Sequence, residues 1–243
     1  SPSGAWCEEL EGSGNWRLGV PPGSDDPWIL IDIESLLTLV QTVGWRRLGW
    51  VPLHVASLVR GDRCAVLCAE SGGGKTSLTA AMVRAGWRTL GDDKVLLRLD
   101  NGGEPELRAL VHTFNLHPQT RSWFPEVGDL ERLPIYSEWT EKRKVRPETI
   151  WPGCTVEHAG PTHLVQIERL EAGHGVRVAP MSPEKLVGTL LRQTVIPSEA
   201  ETASHILGTV ARVASTLTGL EVGIGEDAYA DPDCLEPLLS ALS

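Results

Sequence analysis

Residues 64–100, "CAVLCAESGGGKTSLTAAMVRAGWRTLGDDKVLLRLD", constrain what this chain can fold into more than any other stretch. A short apolar run ends in small residues, and an amphipathic segment follows at once. Leu78, Ala81, Met82 and Ala85 recur at i, i+3, i+4 and i+7, the period of one helix face. Gly86 predicts the stop, because glycine readily adopts the left-handed conformation that closes a helix. Strand, glycine run and helix in that order frame a phosphate-binding loop. "AESGGGKT", residues 69–76, fits G-x-x-x-x-G-K-[ST] except that Ala69 replaces the first glycine.

Within that frame Glu70, Ser71, Gly72, Gly73, Gly74, Lys75, Thr76 and Ser77 are the candidate nucleotide-binding residues. The glycines let backbone N–H groups converge on a phosphate, and the helix N-terminus adds partial positive charge. Lys75 is placed to reach the terminal phosphates, and the Thr76 hydroxyl to hold Mg²⁺. Asp92 and Asp93 follow Lys75 by 17 and 18 residues, one helix and one short strand downstream. Two adjacent carboxylates facing a triphosphate can divide the work: one joins the metal shell and the other accepts a proton from an attacking hydroxyl. His54, in "VPLHVASLV", reads either as a core histidine or as an imidazole that orients an aspartate and tunes its pKa.

At these residues the chain resembles the HPr kinase/phosphorylase family, whose catalytic domain is related to phosphoenolpyruvate carboxykinases. The family has a strand histidine, then a G-E-S-G-x-G-K-S loop, a helix and "DD". Here His54, "AESGGGKT" and Asp92-Asp93 stand in that order with similar separations over about residues 53–98. The resemblance implies a mixed-sheet α/β P-loop kinase core using ATP and Mg²⁺. In it Asp92 is the catalytic base with His54 beside it, Lys75 serves the phosphates, and Thr76 and Asp93 serve the metal, with the two aspartates able to exchange roles. The family's Glu-Arg-Gly segment has no counterpart in "VHTFNLHPQTRSWF", so dephosphorylation is not implied, and the C-terminal half shows no HPr-docking helix, so HPr docking is not implied either. The chain looks more like stand-alone members, similar to the serine kinases that tailor lasso peptides. The acceptor so implied is a serine-type hydroxyl of a peptide or protein, with a sugar or other small alcohol as the alternative. A nucleotide-binding regulator without transfer is the third reading.

The remaining candidates serve the acceptor. His112, Asn115 and His117 in "HTFNLH" are candidates to line its pocket, although loop residues without a role read equally well. Lys142, Arg143 and Lys144 lie in the densest basic run, "EKRKVR", and either face solvent or close over anionic groups. Trp123, Trp139 and Trp151 are candidates to stack on a sugar ring or simply to pack. A net charge of −10 argues against a nucleic-acid partner, which needs a basic surface. Five cysteines without a CxxC pair argue against a disulfide framework or zinc and fit a reducing cytoplasm. No stretch of 18 uncharged apolar residues occurs, so no membrane span is expected. The sequence leaves the oligomeric state open.

The whole chain, 1–243, is expected to form one kinase-like domain, with 1–50 as an auxiliary N-terminal segment and 51–100 as the nucleotide-binding core. "WILIDIESLLTLVQTVG" predicts a strand passing into a helix. "LHVASLVRGDRCAVLCA" predicts two strands about a turn at residues 60–62, and "THLVQIERLEAGHGVRVAP" a hairpin about residues 173–175. Residues 112–161, rich in proline, predict a long irregular and functional region. Two helices, a short strand "LEVGI" and a terminal helix complete the expectation. Hairpins mixed with helices point away from a simple doubly wound parallel sheet.

Overall fold

Short apolar runs separated by turn residues become fifteen strands and six α-helices among the described residues of the computed structural model, which are 4–10, 14–22, 28–137, 140–171 and 175–243. The chain divides into two units, Ser1–Pro52 and Leu53–Ser243.

In the first unit, β1 (Trp6–Glu9) and β2 (Trp16–Gly19) pair antiparallel, Trp6 opposite Gly19 and Glu9 opposite Trp16. Helix α1 (Trp28–Arg47) carries Arg47, whose guanidinium forms a fork with both carboxylate oxygens of Glu9. The strand expected at the start of "WILIDIES" is instead helical from Trp28 onward. A short run rich in isoleucine has no periodicity that separates strand from helix, and the long stretch downstream decides.

Strand β3 (Val51–Leu53) leads into the second unit. Strands β4 (Ala56–Arg60) and β5 (Arg63–Cys68) form the expected hairpin, with Arg60 opposite Arg63 across Gly61 at φ 60°. Then come α2 (Lys75–Arg84), β6 (Arg88–Gly91), β7 (Val95–Leu99), β8 (Pro105–Ala109) and β9 (Phe114–Leu116). They are followed by β10 (Ile135–Ser137), β11 (Thr140–Val145), β12 (His158–Ala159), β13 (His163–Arg169) and β14 (Val176–Pro180). Helices α3 (Pro183–Leu191) and α4 (Ala200–Ala214), strand β15 (Thr218–Ile224), and helices α5 (Asp227–Ala230) and α6 (Glu236–Ala241) close the chain. The region expected to be irregular thus contains short strands, and the basic run lies in β11, paired with β9 and β10.

The main sheet has the order β14-β15-β13-β5-β4-β6 and mixes parallel with antiparallel pairs. Strands β13 and β14 are not hairpin partners, because β15, 49 residues beyond the end of β13, inserts between them (218 − 169). Of the expected turn, residues 173 and 174 lie outside the described residues. Strand β5 runs parallel to β13, and β13 parallel to β15, whereas β4 is antiparallel to both β5 and β6. The carboxyl ends of β5, β6, β13 and β15 therefore lie on one edge, where β4 begins. That edge is where mixed and parallel sheets expose groups not consumed by ladder hydrogen bonds.

Helix α2 is enclosed nearly all round, with Leu78, Thr79, Ala80, Ala81, Met82 and Val83 buried. Its apolar side chains share one core with Leu58, Leu67, Val165 and Val222 of the sheet and with Phe114, Phe124 and Tyr229. Burying each large apolar side chain contributes about 1.5–3 kcal/mol. The helix ends as expected: Gly86, at φ 89°, donates to Val83 O, and Trp87 donates to Met82 O, both at 3.0 Å. That pair of bonds satisfies carbonyls the helix would otherwise leave open. Among the described residues no helix is long and apolar enough to cross a membrane.

Candidate functional site

The residues after β5 cannot continue as a strand, because Ala69, Glu70 and Ser71 lead into three glycines that reverse the chain. Gly72 and Gly74 sit at φ 77° and 92°, a region that favours glycine. Gly73 has ordinary φ but lies close to Ala69 and the Glu70 carbonyl, and its N–H donates to Glu70 O at 2.9 Å. Gly74 is the N-cap of α2 and supplies no side-chain cap. The first N–H groups of the helix are left to face outward.

A cavity of about 600 Å³ opens over this loop. Glu70 to Ser77 all line it, and so do His54, Asp92, Asp93, Asn115, His117 and Lys142. The fold explains the assembly. Asp92 and Asp93 leave the carboxyl end of β6, and His54 lies just ahead of β4, the strand paired directly with β6, on the same edge. The His54 N–H is anchored on Gln193 O at 2.7 Å.

Asp92 is 2% exposed. Burial pushes its carboxyl up to about 7, Asp93 pushes the same way, and the Thr76 hydroxyl, the Asn115 N–H and Lys75 oppose. The Asn115 N–H approaches Oδ2 at 3.5 Å, whereas Oδ1 has no hydrogen-bond partner among the described residues. Asp93 differs: it is partly exposed, and its Oδ1 lies 3.2 Å from His54 Nδ1. The imidazole thus pairs with Asp93 rather than with Asp92. Burial holds His54 below its ordinary value; Asp93 opposes this, and Lys75, Lys94 and Lys142 reinforce it. Burial likewise lowers Lys75, against the pull of Asp93 and Asp92, and its Nζ lies 3.4 Å from Ala69 O. An ammonium folded back on its own loop is available to an anion entering the cavity.

The other candidates separate. His117 lines the cavity; its Nδ1 accepts from the Gln119 N–H at 3.3 Å, leaving Nε2 toward Glu141 at 3.4 Å. His112 does not line it: its ring bonds Val156 O at 3.1 Å, on the side of β12. Lys142 faces the cavity, whereas Arg143 and Lys144, its neighbours on β11, do not line it, as expected from strand alternation for the first of the two. Trp123 lines the cavity, Trp151 packs on Phe114 with centroids 6.3 Å apart, and Trp139 lies outside the described residues. Cys64 and Cys68 are buried, and burial raises both thiols to about 12.

Sequence reasoning missed the far wall. Arg169 at the end of β13, and Glu226 and Tyr229 just after β15, also line the cavity. Arg169 and Glu226 form an ion pair across the two strand ends. The available signal was positional: a charged residue closing "LVQIER", and "GED" closing "LEVGI", each at the end of an apolar strand.

The donor set fits a Mg²⁺ ion arriving with phosphates. Thr76 and Asp93 offer hard oxygen atoms, and the buried Asp92 carboxyl, its Oδ1 unpartnered among the described residues, lines the same cavity beside them. No group of three or more His, Cys, Asp or Glu able to hold a metal occurs among the described residues. Mg²⁺ characteristically takes one or two carboxylates and completes its shell with substrate oxygens and water.

Fold and cavity define a mixed α/β protein with a polar, charged pocket at the carboxyl edge of its main sheet. No protein-family model matches the chain. No curated protein matches it either. Among solved structures the chain is similar to the Hpr(Ser) kinase/phosphatase from Coxiella burnetii, with 11% sequence identity, 78% of this chain and 94% of that chain covered, and a TM-score of 0.41. Overlap that shallow carries no functional argument, and the chemistry has to be read from the cavity itself.

Proposed function

We propose that the protein is an ATP-dependent kinase that transfers the γ-phosphate to a serine-type hydroxyl of a peptide or protein. One observation carries this reading: a buried carboxyl whose pKa is raised to about 7 shares a cavity with a lysine and the open N-terminus of α2. A base is most effective when its pKa lies near the working pH, and a positioned base contributes about 10²–10⁴-fold.

In this reading the loop from Glu70 to Ser77 holds the polyphosphate through backbone N–H groups and Lys75. Thr76 and Asp93 hold Mg²⁺, which when bound neutralises charge on the phosphates. Asp92 takes the proton from the acceptor hydroxyl as that oxygen attacks phosphorus, and ADP leaves with the electrons of the broken P–O bond. Asp92 Oδ1, lacking a protein partner, is the atom free to receive that proton. His54 keeps Asp93 oriented through its 3.2 Å contact. Asn115, His117 and Lys142 border the acceptor side.

The test is transfer from γ-labelled ATP with Mg²⁺ to a host-cell extract split into peptide and small-molecule fractions, with Asp92→Asn as control. Label in the peptide fraction, absent with the variant, is the expected result. Label only in small molecules moves the acceptor to a sugar-type alcohol. Nucleotide binding without transfer to either fraction overturns the kinase reading in favour of a regulator.

A further inference from the structure

Three buried oxygen atoms on residues that line the cavity have no hydrogen-bond partner among the described residues: Asp92 Oδ1, Asn115 Oδ1 and Tyr229 Oη. Asn115 Oδ1 can only accept, and the Asp92 carboxyl, raised to about 7, is an acceptor once ionised. The Tyr229 hydroxyl carries a proton to donate to an anion whether or not Asp92 is ionised. Burial raises that phenol to about 12, so it stays protonated at any working pH.

Tyr229 is also held in place. It is 2% exposed, on α5 immediately after β15. Its ring leans on Trp123 with centroids 5.0 Å apart and planes at 43°. Arg84, at the end of α2, donates to the backbone carbonyls of Tyr229 at 2.5 Å and Trp123 at 2.6 Å. One guanidinium therefore ties both rings to the helix whose other end opens on the cavity. The hydroxyl meets the glycine-rich loop at Gly74: a methyl group there would lie 2.3 Å from Tyr229 Oη. A rigid donor with no protein acceptor thus sits against the N-cap of α2, where an anion would be held.

We propose that the Tyr229 hydroxyl is an additional ligand for the polyphosphate of the nucleotide, donating to a phosphate oxygen beside Gly74. The assignment rests on the kinase reading for the identity of the anion. It adds a residue that no motif of the loop contains, from a part of the chain more than 150 residues downstream (229 − 74). The wall formed by α5 then becomes part of the phosphate site.

The experiment is calorimetric titration of parent, Tyr229→Phe and Lys75→Ala proteins with Mg²⁺ and either inorganic tripolyphosphate or ATP, beside thermal melts without ligand. Phenylalanine keeps the ring against Trp123 and removes only the hydroxyl. The expected result is a loss of about 10-fold in affinity for both tripolyphosphate and ATP in Tyr229→Phe, in line with one hydrogen bond to a charged group. Its ligand-free melting temperature stays equal to or above the parent's. Unchanged affinity in Tyr229→Phe, where the parent binds and Lys75→Ala binds more weakly, overturns the tyrosine assignment and leaves the kinase reading standing. A ligand-free melting temperature several degrees lower overturns it as well, because the hydroxyl then has a structural partner. Failure of the parent to bind either ligand removes the phosphate loop itself, and both readings with it.

Discussion

Replacing Asp92 by asparagine separates what this carboxyl does for chemistry from what it costs the fold. Its pKa stands near 7 in the folded chain against an ordinary 3.8, so the native state binds its proton more tightly than the unfolded state. Where the native state holds more protons, stability falls as pH rises, so the fold loses stability between about pH 4 and 7. The gap of roughly three pH units, at about 1.4 kcal/mol each, amounts to about 4 kcal/mol at pH 8. At pH 5 the same linkage leaves a cost of about 2 kcal/mol. The asparagine amide brings its own buried N–H groups, at about 1–3 kcal/mol if unpaired, but that cost does not vary with pH. The pH-dependent part is therefore the clean quantity. With chelator present and no nucleotide, urea unfolding is expected to show Asp92→Asn gaining about 2–3 kcal/mol on the parent between pH 5 and pH 8. Transfer activity of the parent should meanwhile fall about tenfold per pH unit below 7, and the variant should show none. A stability difference that is the same at both pH values would refute the reasoning, because Asp92 would then be ionised at an ordinary pKa. Loss of stability in the variant that grows with pH would refute it more strongly.

The other expectations concern the loop and its supports. Lys75→Ala should weaken ATP binding by about 10- to 100-fold, by calorimetry, since it removes a charged donor from the cavity without touching the core. Gly74→Ala places a side chain at φ 92° and against Tyr229 Oη, so the melting temperature should fall by about 5–10 °C; an unchanged value would show that the loop relaxes freely. Arg84→Met removes the guanidinium that stands 5.2 Å from the Phe124 ring centroid and leaves the Trp123 and Tyr229 carbonyls without their donor. A cost of about 2–3 kcal/mol in denaturant unfolding is expected, with weaker nucleotide binding as α5 loosens. Cys64 and Cys68, buried with thiols near 12, should resist alkylation in the native state, and prompt modification of both would contradict their placement.

What the sequence determined by itself is what lies within a few turns of chain. The β4–β5 hairpin, the glycine reversal, the α2 period with its Gly86 stop, and the closeness of Asp92 to the loop all follow from turn chemistry and periodicity acting over about forty residues. The failures have the same origin. The start of α1 lacked a deciding period, and β13 and β14 looked like hairpin neighbours because the strand that separates them arrives later. Only the tertiary structure decided which strand ends share an edge. Parallel pairing of β5 with β13 and of β13 with β15 brings Arg169, Glu226 and Tyr229 to a loop made about a hundred residues or more earlier. It also placed His54 on Asp93, sent His112 away from the cavity, and buried Asp92 deeply enough to raise its pKa to about 7. Burial and proton affinity depend on everything packed around a group, and that surrounding is assembled from distant segments that no local pattern encodes.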